Sequence, residues 1–166
     1  MQKERMIKIE NDKVVFRSAG EATSLMICSI AWPMIDTYYA VLVFSLTLIK
    51  QRTELDANFT KDVQWMAETL YIQGKMKFYE SCNQPSIGNA KSAFLAMNIL
   101  TRNGPSYITL HKDYLGDDGE KRLTEVMEYL GQFRKVPTND DVFDNVGTVK
   151  DLRKTIFHDY PVMSKL

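Results

Sequence analysis

Histidine and cysteine are both scarce in this sequence, which contains two of each in 166 residues. The cysteines, Cys28 and Cys82, have neither the spacing of a metal site nor that of a Cys-x-x-Cys redox pair. We therefore expect reduced thiols in an intracellular compartment. We predict neither a metal site nor a bound cofactor.

A charge excess of either sign is also missing, because 21 lysines and arginines balance 21 aspartates and glutamates. No net field attracts an anionic partner such as nucleic acid. The N-terminus has charge but no apolar run behind it, so no signal peptide is predicted. What is present is an ordinary globular composition, 45% hydrophobic and 25% charged, which predicts one compact domain.

The most apolar segment, residues 24–49, contains Asp36 as its one charged residue. A membrane span would hold this carboxylate near the bilayer centre at a cost of about 2.5–3.5 kcal/mol. We expect instead that residues 24–52 form two core helices, a short one and a long one that begins after a break at Pro33. The expected role of Asp36 is a hydrogen bond or ion pair with another element, and a perturbed functional acid is the alternative.

Aromatic residues leave a second option open for this segment. Trp32, Tyr38 and Tyr39 each combine an apolar ring with a polar group, which suits a buried partner and the membrane interface equally. Peripheral membrane contact is therefore retained as a possible interaction beside the core interpretation.

The central stretch, residues 60–110, alternates between helical and strand patterns. A helix capped by Thr60 repeats apolar residues at helical spacing until Gly74 ends the pattern. Alternation at Met76 and Phe78 then predicts a brief strand.

A second helix of this stretch has clear start and stop signals. It begins at a cap, Ser81 or Asn83, followed by Pro85. Asn98 is expected to take the left-handed conformation that ends a helix, and residues 99–110 are expected to form a hairpin. The predicted buried face has four apolar residues at helical spacing: Ile87, Ala90, Phe94 and Met97.

The order helix, short strand, helix and hairpin is that of a small winged-helix module. We predict a mainly α domain with a small β component, in which residues 60–133 form this module and one further helix. Lys91 is the only basic residue of the second helix, so we expect no binding to nucleic acid.

Three further segments complete the predicted organisation. Residues 1–20 are expected to form a hairpin. A turn at residues 117–119 leads to the last helix of the module, which ends near Gly131. Residues 134–166 form a tail that starts as a surface linker and continues into a helix capped by Thr148. The predicted apolar stripe of this last helix of the module is Leu123, Val126, Met127, Leu130 and Phe133.

Short motifs occur in a fixed order along the first two thirds of the chain. One opens the long apolar helix: Pro33-Met34-Ile35-Asp36-Thr37-Tyr38. The others run through the central stretch: Gly74-Lys75, Tyr79-Glu80-Ser81, Asn89-Ala90 and Ile99-Leu100. Together they resemble the C-terminal region of the glycerol-3-phosphate and dihydroxyacetone-phosphate acyltransferase family over roughly residues 24–115.

The resemblance implies a parent enzyme whose base is a histidine with an aspartate five positions later, which orients the imidazole. Neither histidine here completes that motif, since Gly116 follows His111 at that distance and Met163 follows His158. The family's Gly/Arg-rich stretch for the acceptor phosphate is absent too. We therefore expect no catalytic residue and no activity of this chain alone. Met1 would then be internal to a larger chain or mark a truncated gene model, and the acyltransferase catalytic domain would be a partner.

The last three residues, Ser164, Lys165 and Leu166, form the tripeptide that the peroxisomal import receptor reads. We therefore expect a peroxisomal location, with this receptor as a second partner. Within the family, that address implies the member that acylates dihydroxyacetone phosphate from acyl-CoA in ether-lipid synthesis. Glycerol 3-phosphate is the other acceptor that the family uses.

A different class of function fits the same order of elements. A winged-helix module can dock a protein or, less favourably here, a nucleic acid. A salt-dependent affinity for DNA would distinguish this interaction module from the acyltransferase interpretation.

We predict that residues 155–166, fused to the C-terminus of a fluorescent protein, direct it into peroxisomes, because the receptor reads an accessible C-terminal tripeptide. Microscopy against a peroxisomal marker checks this. The matched control lacks Leu166 and should remain in the cytosol. Diffuse fluorescence from the intact tail would contradict the prediction.

Overall fold

The structure is a computed structural model that describes residues 7–10, 13–16, 18–50 and 52–135. Within these residues the chain forms four α-helices: α1 (Ser18–Ser45), α2 (Asp56–Ile72), α3 (Gln84–Ala96) and α4 (Gly116–Gly131). The same residues form five short strands: β1 (Ile7–Glu10), β2 (Lys13–Phe16), β3 (Glu54–Leu55), β4 (Leu100–Asn103) and β5 (Tyr107–Leu110). The predicted class, mainly α with a small β component, is confirmed.

The strands form two antiparallel sheets. β1 pairs with β2, with Ile7 opposite Phe16, in the region where the sequence predicts a hairpin. β4 pairs with β5, with Leu100 opposite Leu110, and this is the hairpin predicted after the second helix of the module. β3 lies on the other side of β5 and gives the strand order β3-β5-β4. This two-residue strand lies within residues 52–58, where the sequence predicts a polar connector and no strand.

α1 continues through Pro33 without the predicted break. The proline removes one helix hydrogen bond, that to the carbonyl of Ser29. Ser29 is exposed, so water can hydrogen-bond to the carbonyl that loses its helix partner. The helix also ends earlier than predicted, at Ser45, whose hydroxyl donates to the Val41 carbonyl at 2.7 Å.

α2 begins at Asp56, before the predicted cap Thr60. Its N-cap, Leu55, offers no side-chain hydrogen bond, and the Asp56 carboxylate lies in the first turn, where the helix dipole favours negative charge. The carboxylate accepts hydrogen bonds from Lys91 Nζ at 2.6 Å and Arg102 Nη1 at 3.0 Å. The hydrogen bond from Lys91 is the main reason that the pKa of Asp56 is lowered.

Gly74 ends α2, as predicted. Its φ of 69° is in the left-handed region, which favours glycine. The amide of Gly74 donates to the Tyr71 carbonyl at 2.9 Å, and that of Lys75 donates to the Leu70 carbonyl at 2.8 Å. This pair of bonds is a Schellman closure, which satisfies the last carbonyls of the helix.

The strand predicted at Met76 and Phe78 does not form. The amide of Met76 donates to the Leu70 carbonyl at 3.2 Å, so the backbone here closes α2 instead of joining a sheet. The Met76 side chain is buried in the core, which explains the strand-like alternation in the sequence. A 3-10 turn, Tyr79–Cys82, takes the place of the strand.

The N-cap of α3 is Asn83, one of the two predicted caps, whose side-chain oxygen accepts a first-turn amide at 2.8 Å. It ends as predicted, with Asn98 in the left-handed conformation at φ 54°. The reversal lets the amide of Ile99 donate to the Phe94 carbonyl at 2.9 Å, so Ile99 turns into the core. Met97 lies before the reversal and is 61% exposed, so its predicted place on the buried face is wrong.

α4 includes Asp117, Asp118 and Gly119, which the sequence places in a turn before the helix. The two aspartates lie in the first turn, where negative charge is stabilising. The predicted end at Gly131 is confirmed. Phe133 lies beyond this end and is 49% exposed, so its predicted place in the apolar stripe is wrong.

The core is built around the second half of α1. Phe44 meets Phe59 of α2 edge-on at 5.3 Å between ring centroids. Tyr38 meets Phe94 of α3 in the same way at 5.4 Å. α4 packs against α1 as well, so all three shorter helices share α1 as their common partner.

We predict that Phe94→Ala lowers the free energy of unfolding of the full chain by about 3–5 kcal/mol, because it leaves a cavity where a ring is buried. Phe94 is 3% exposed, so the space left by the ring would be enclosed by other buried side chains. Urea denaturation followed by circular dichroism measures the loss. Met97→Ala, the control on the exposed side of the same helix end, should change stability by less than about 0.5 kcal/mol. Equal losses in the two variants would contradict the packing described.

Candidate docking surface

The first half of α1 presents an apolar surface that the rest of the described chain leaves largely uncovered. Five side chains are between 49% and 66% exposed, and we call them the α1 surface: Leu25, Met26, Ile27, Ile30 and Met34. No charged residue lies between Glu21 and Asp36. A helix without a charged face is normally buried against something, and an exposed apolar patch marks an interaction site.

One polar group on this half of the helix, the Ser29 hydroxyl, is satisfied locally. The Ser29 hydroxyl donates to the Met26 carbonyl at 2.7 Å, so it does not interrupt the apolar character of the surface. Among the described residues, one helical stretch, Ala22–Leu48, is long and apolar enough to cross a membrane by length and composition alone. Of its 18-residue apolar segment, 44% is buried within the domain. The buried part lies after Pro33 and forms the core, as the sequence predicts.

The three aromatic residues of α1 take different positions. Tyr39 is buried and Tyr38 packs against Phe94, so both contribute to the core. Trp32 lies at the boundary and stacks on Phe78, with the ring centroids 6.5 Å apart and the planes 8° from parallel. Trp32 therefore lies where the buried part of α1 ends and its exposed part begins.

A buried ion pair between Asp36 and Arg134 lies at the base of the α1 surface. Arg134 Nε is 2.6 Å from Asp36 Oδ1, and the two side chains are 4% and 1% exposed. The other carboxylate oxygen accepts the backbone amide of Lys77 at 3.3 Å. Arg134 Nη2 donates to the carbonyl of Lys75 at 2.7 Å. These bonds offset the loss of hydration of both charges and join α1, the α2–α3 connection and the residues after α4.

Tyr39 lies against the guanidinium of this pair. Arg134 Cζ is 3.8 Å from the centroid of the Tyr39 ring, a cation–π contact. Burial raises the pKa of Tyr39, and the nearby Arg134 only partly opposes the effect. The phenol therefore stays protonated at neutral pH and is not available as a base.

A second polar contact ties α1 to the α2–α3 connection. The Thr37 hydroxyl lies 2.9 Å from the Ser81 carbonyl and 3.0 Å from the Pro33 carbonyl. The neighbouring thiol of Cys82 is free, and burial raises its pKa to about 11. It is therefore protonated at neutral pH and unreactive. Ser81 Oγ is buried and has no hydrogen-bond partner within the part of the chain that the structure describes.

Few groups in the described residues are arranged for chemistry. His111 accepts the amide of Asp113 at Nδ1, at 3.4 Å, and the same nitrogen lies 3.3 Å from the Asp113 carboxylate. The contact between His111 and Asp113 is local to one turn. Glu80, in the connection between α2 and α3, is exposed to solvent. In the described ranges no group of three or more His, Cys, Asp or Glu side chains could hold a metal ion. Within residues 18–50 and 52–135, the candidate site with the clearest geometry is therefore the exposed apolar surface of α1.

The predicted targeting residues, Ser164, Lys165 and Leu166, lie outside the described residues, as does the helix predicted from Thr148.

Arg134 is the functional residue that sequence reasoning missed, because the sequence places it at the start of a surface linker. A carboxylate inside an apolar helix does signal that a cation must be near. With 21 lysines and arginines in the chain, however, no spacing rule selects the partner of Asp36.

We predict that Arg134→Met lowers the free energy of unfolding by about 3–5 kcal/mol, because it leaves the carboxylate of Asp36 buried without a charge partner. Adding Asp36→Leu should recover most of the loss, since the unpaired charge is then removed. Urea denaturation of the single and double variants measures this coupling. Lys121→Met, which removes an exposed pair with Asp118 at 3.7 Å, is the control and should leave the midpoint unchanged. A double variant as unstable as the sum of the single variants would contradict the coupling.

Comparison with known proteins identifies a family. The family model for the glycerol-3-phosphate acyltransferase C-terminal region matches residues 1–103, which include α1, α2, α3 and their connections. Searches of curated proteins and of solved structures return no significant match. The matched part covers more than half of the sequence and includes both the α1 surface and Asp36. The chain therefore belongs to the glycerol-3-phosphate acyltransferase family, to whose C-terminal region it corresponds.

Proposed function

We propose that this chain is the non-catalytic C-terminal domain of a peroxisomal acyltransferase. The complete enzyme would transfer an acyl group from acyl-CoA to dihydroxyacetone phosphate, with glycerol 3-phosphate as the other acceptor, in the synthesis of ether lipids and glycerophospholipids. The observation that carries the proposal is the family match over residues 1–103 in a sequence without the family's histidine–aspartate pair.

The α1 surface is the proposed contact with the acyltransferase catalytic domain. It is apolar, it lies within the matched region, and it extends from a rigid base formed by the Asp36–Arg134 pair. Covering five side chains that are about half exposed would supply part of the hydrophobic free energy of domain association. The buried half of α1 would then connect this contact to the core of the domain, where the other three helices pack against it.

The proposed location follows from the C-terminal tripeptide Ser164-Lys165-Leu166, which the peroxisomal import receptor would read. The choice of dihydroxyacetone phosphate as the acceptor depends on this address, because the ether-lipid member of the family works in peroxisomes. If the tail does not target, glycerol 3-phosphate becomes the favoured acceptor and the accessory role is unaffected.

We predict that the purified chain releases no CoA above background from acyl-CoA and dihydroxyacetone phosphate. General-base catalysis needs a positioned base and a basic cradle for the acceptor phosphate, and the sequence contains neither motif. Adding a separately produced catalytic domain of a glycerol-3-phosphate acyltransferase family enzyme should give turnover above that of the catalytic domain alone. Detection of free CoA with a thiol reagent measures both results.

Two surface variants make this experiment specific. Ile30→Glu places a charge in the centre of the α1 surface and should reduce the stimulation at least tenfold, because a charge would have to be buried at the interface. Met97→Glu, at an equally exposed apolar side chain on another element, should stimulate normally. Turnover by the chain alone that is lost in His111→Ala would overturn the proposal.

A further inference from the structure

The chain that follows α4 leaves the described domain at the base of the α1 surface. Arg134 is bound to Asp36, with its Nε 2.6 Å from the carboxylate. The next residue, Lys135, has its Nζ 4.2 Å from the centroid of the Trp32 ring. Both contacts are made with α1, so residues 136–166 start beside this helix.

The α1 surface contains one regular apolar stripe. Ile27, Ile30 and Met34 occupy positions i, i+3 and i+7, which place their side chains on one side of the helix. They are 49%, 66% and 49% exposed, and we call them the α1 stripe. The stripe is about 10 Å long at 1.5 Å per residue. A second helix that packs on such a stripe needs apolar residues at the same spacing.

The sequence after residue 135 contains this spacing. Thr148 predicts the start of a helix. Three apolar residues follow at positions i, i+3 and i+7: Val149, Leu152 and Ile156. Three charged residues fall on the opposite side of such a helix, with Arg153 at the border: Lys150, Asp151 and Lys154. The predicted helix therefore has one apolar stripe, equal in length to the α1 stripe, and one charged side.

The connection between the two stripes is long enough for them to meet. Residues 136–147 separate Lys135 from the predicted helix, and twelve residues span up to about 40 Å when extended. The farthest residue of the α1 stripe, Ile27, is about 8 Å along α1 from Trp32, and a helix is about 10–12 Å across. The predicted helix can therefore reach the α1 stripe while Lys135 stays at Trp32.

We propose that residues 148–157 of the same chain pack on the α1 stripe when the catalytic domain is not bound. The contact covers apolar side chains whose exposure to water is unfavourable. Because the segment is attached to the domain, the contact is intramolecular and forms at an affinity too weak to join separate molecules.

This contact and the proposed function share the α1 surface, but the contact does not depend on acyl transfer. A ten-residue helix buries less area than a domain does. The catalytic domain therefore displaces the segment and protects α1 further. The segment acts as a reversible cover for an interface that is otherwise exposed.

Hydrogen–deuterium exchange of the full chain, without any catalytic domain, tests the inference. Residues 148–157 should exchange about tenfold more slowly than in a synthetic peptide of residues 136–166. Leu152→Ser combined with Ile156→Ser should remove this protection and speed exchange over residues 22–35 about threefold. The matched control, Lys150→Ser combined with Lys154→Ser, changes the charged side of the same predicted helix and should exchange like the wild type.

A variant of α1 tests the contact from the other side. Ile30→Ser should bring residues 148–157 to the exchange rate of the peptide, whereas Met97→Ser, at an exposed apolar side chain on another element, should not. Circular dichroism verifies that each variant is folded. The catalytic domain is absent from these measurements, so they can fail while stimulation of acyl transfer succeeds.

Four results would overturn the inference. The first is exchange of residues 148–157 at the peptide rate in the wild type, and the second is equal behaviour of the two double variants. The third is protection that Ile30→Ser leaves unchanged, since the segment would then lie elsewhere. The fourth is protection that is lost on dilution, because the cover would then be a second copy of the chain.

Discussion

The buried ion pair of Asp36 with Arg134 determines how the rest of this domain is arranged. Two charges have been removed from water, so each must be surrounded by partners, and the backbone groups of Lys75 and Lys77 supply them. The carboxylate comes from α1, the guanidinium follows α4, and the backbone groups belong to the α2–α3 connection. One contact therefore fixes three segments that are distant in sequence.

This contact also divides α1 into two parts with different roles. After Asp36 the helix is the centre of the core, and the other three helices pack against it. Before Trp32 the helix remains apolar but is largely uncovered. Exposing an apolar helix to water is unfavourable, so the exposed part is best understood as half of an interface. The rigid base at Asp36 would keep that half in a fixed orientation before a partner binds, which lowers the entropy cost of association.

The sequence was sufficient for features that depend on local chemistry. The caps and stops at Asn83, Gly74 and Asn98 follow from side-chain hydrogen bonding and left-handed backbone conformations. It was insufficient where tertiary contacts override a local pattern. Pro33 predicts a break, yet its missing hydrogen bond falls on a side of α1 that is accessible to water. Met76 alternates like a strand, yet its backbone closes a helix.

The candidate site was predictable only in part, for the same reason. Asp36 is recognisable as an unusual carboxylate within an apolar helix, and the pairing expected for it is observed. Its partner, Arg134, could not be identified, because an ion pair across 98 residues of sequence leaves no periodic signal. The exposure of the α1 surface was equally hidden, since an apolar helix has the same composition whether it is covered by its own domain or by another.

The proposed cover of the α1 surface by an acyltransferase catalytic domain can be observed by hydrogen–deuterium exchange of the full chain, with and without that domain. Peptides covering residues 22–35 should exchange more slowly when the catalytic domain is present, while peptides from β4 and β5 should be unchanged. Unchanged exchange over residues 22–35 in a mixture shown by sedimentation to contain the complex would contradict it.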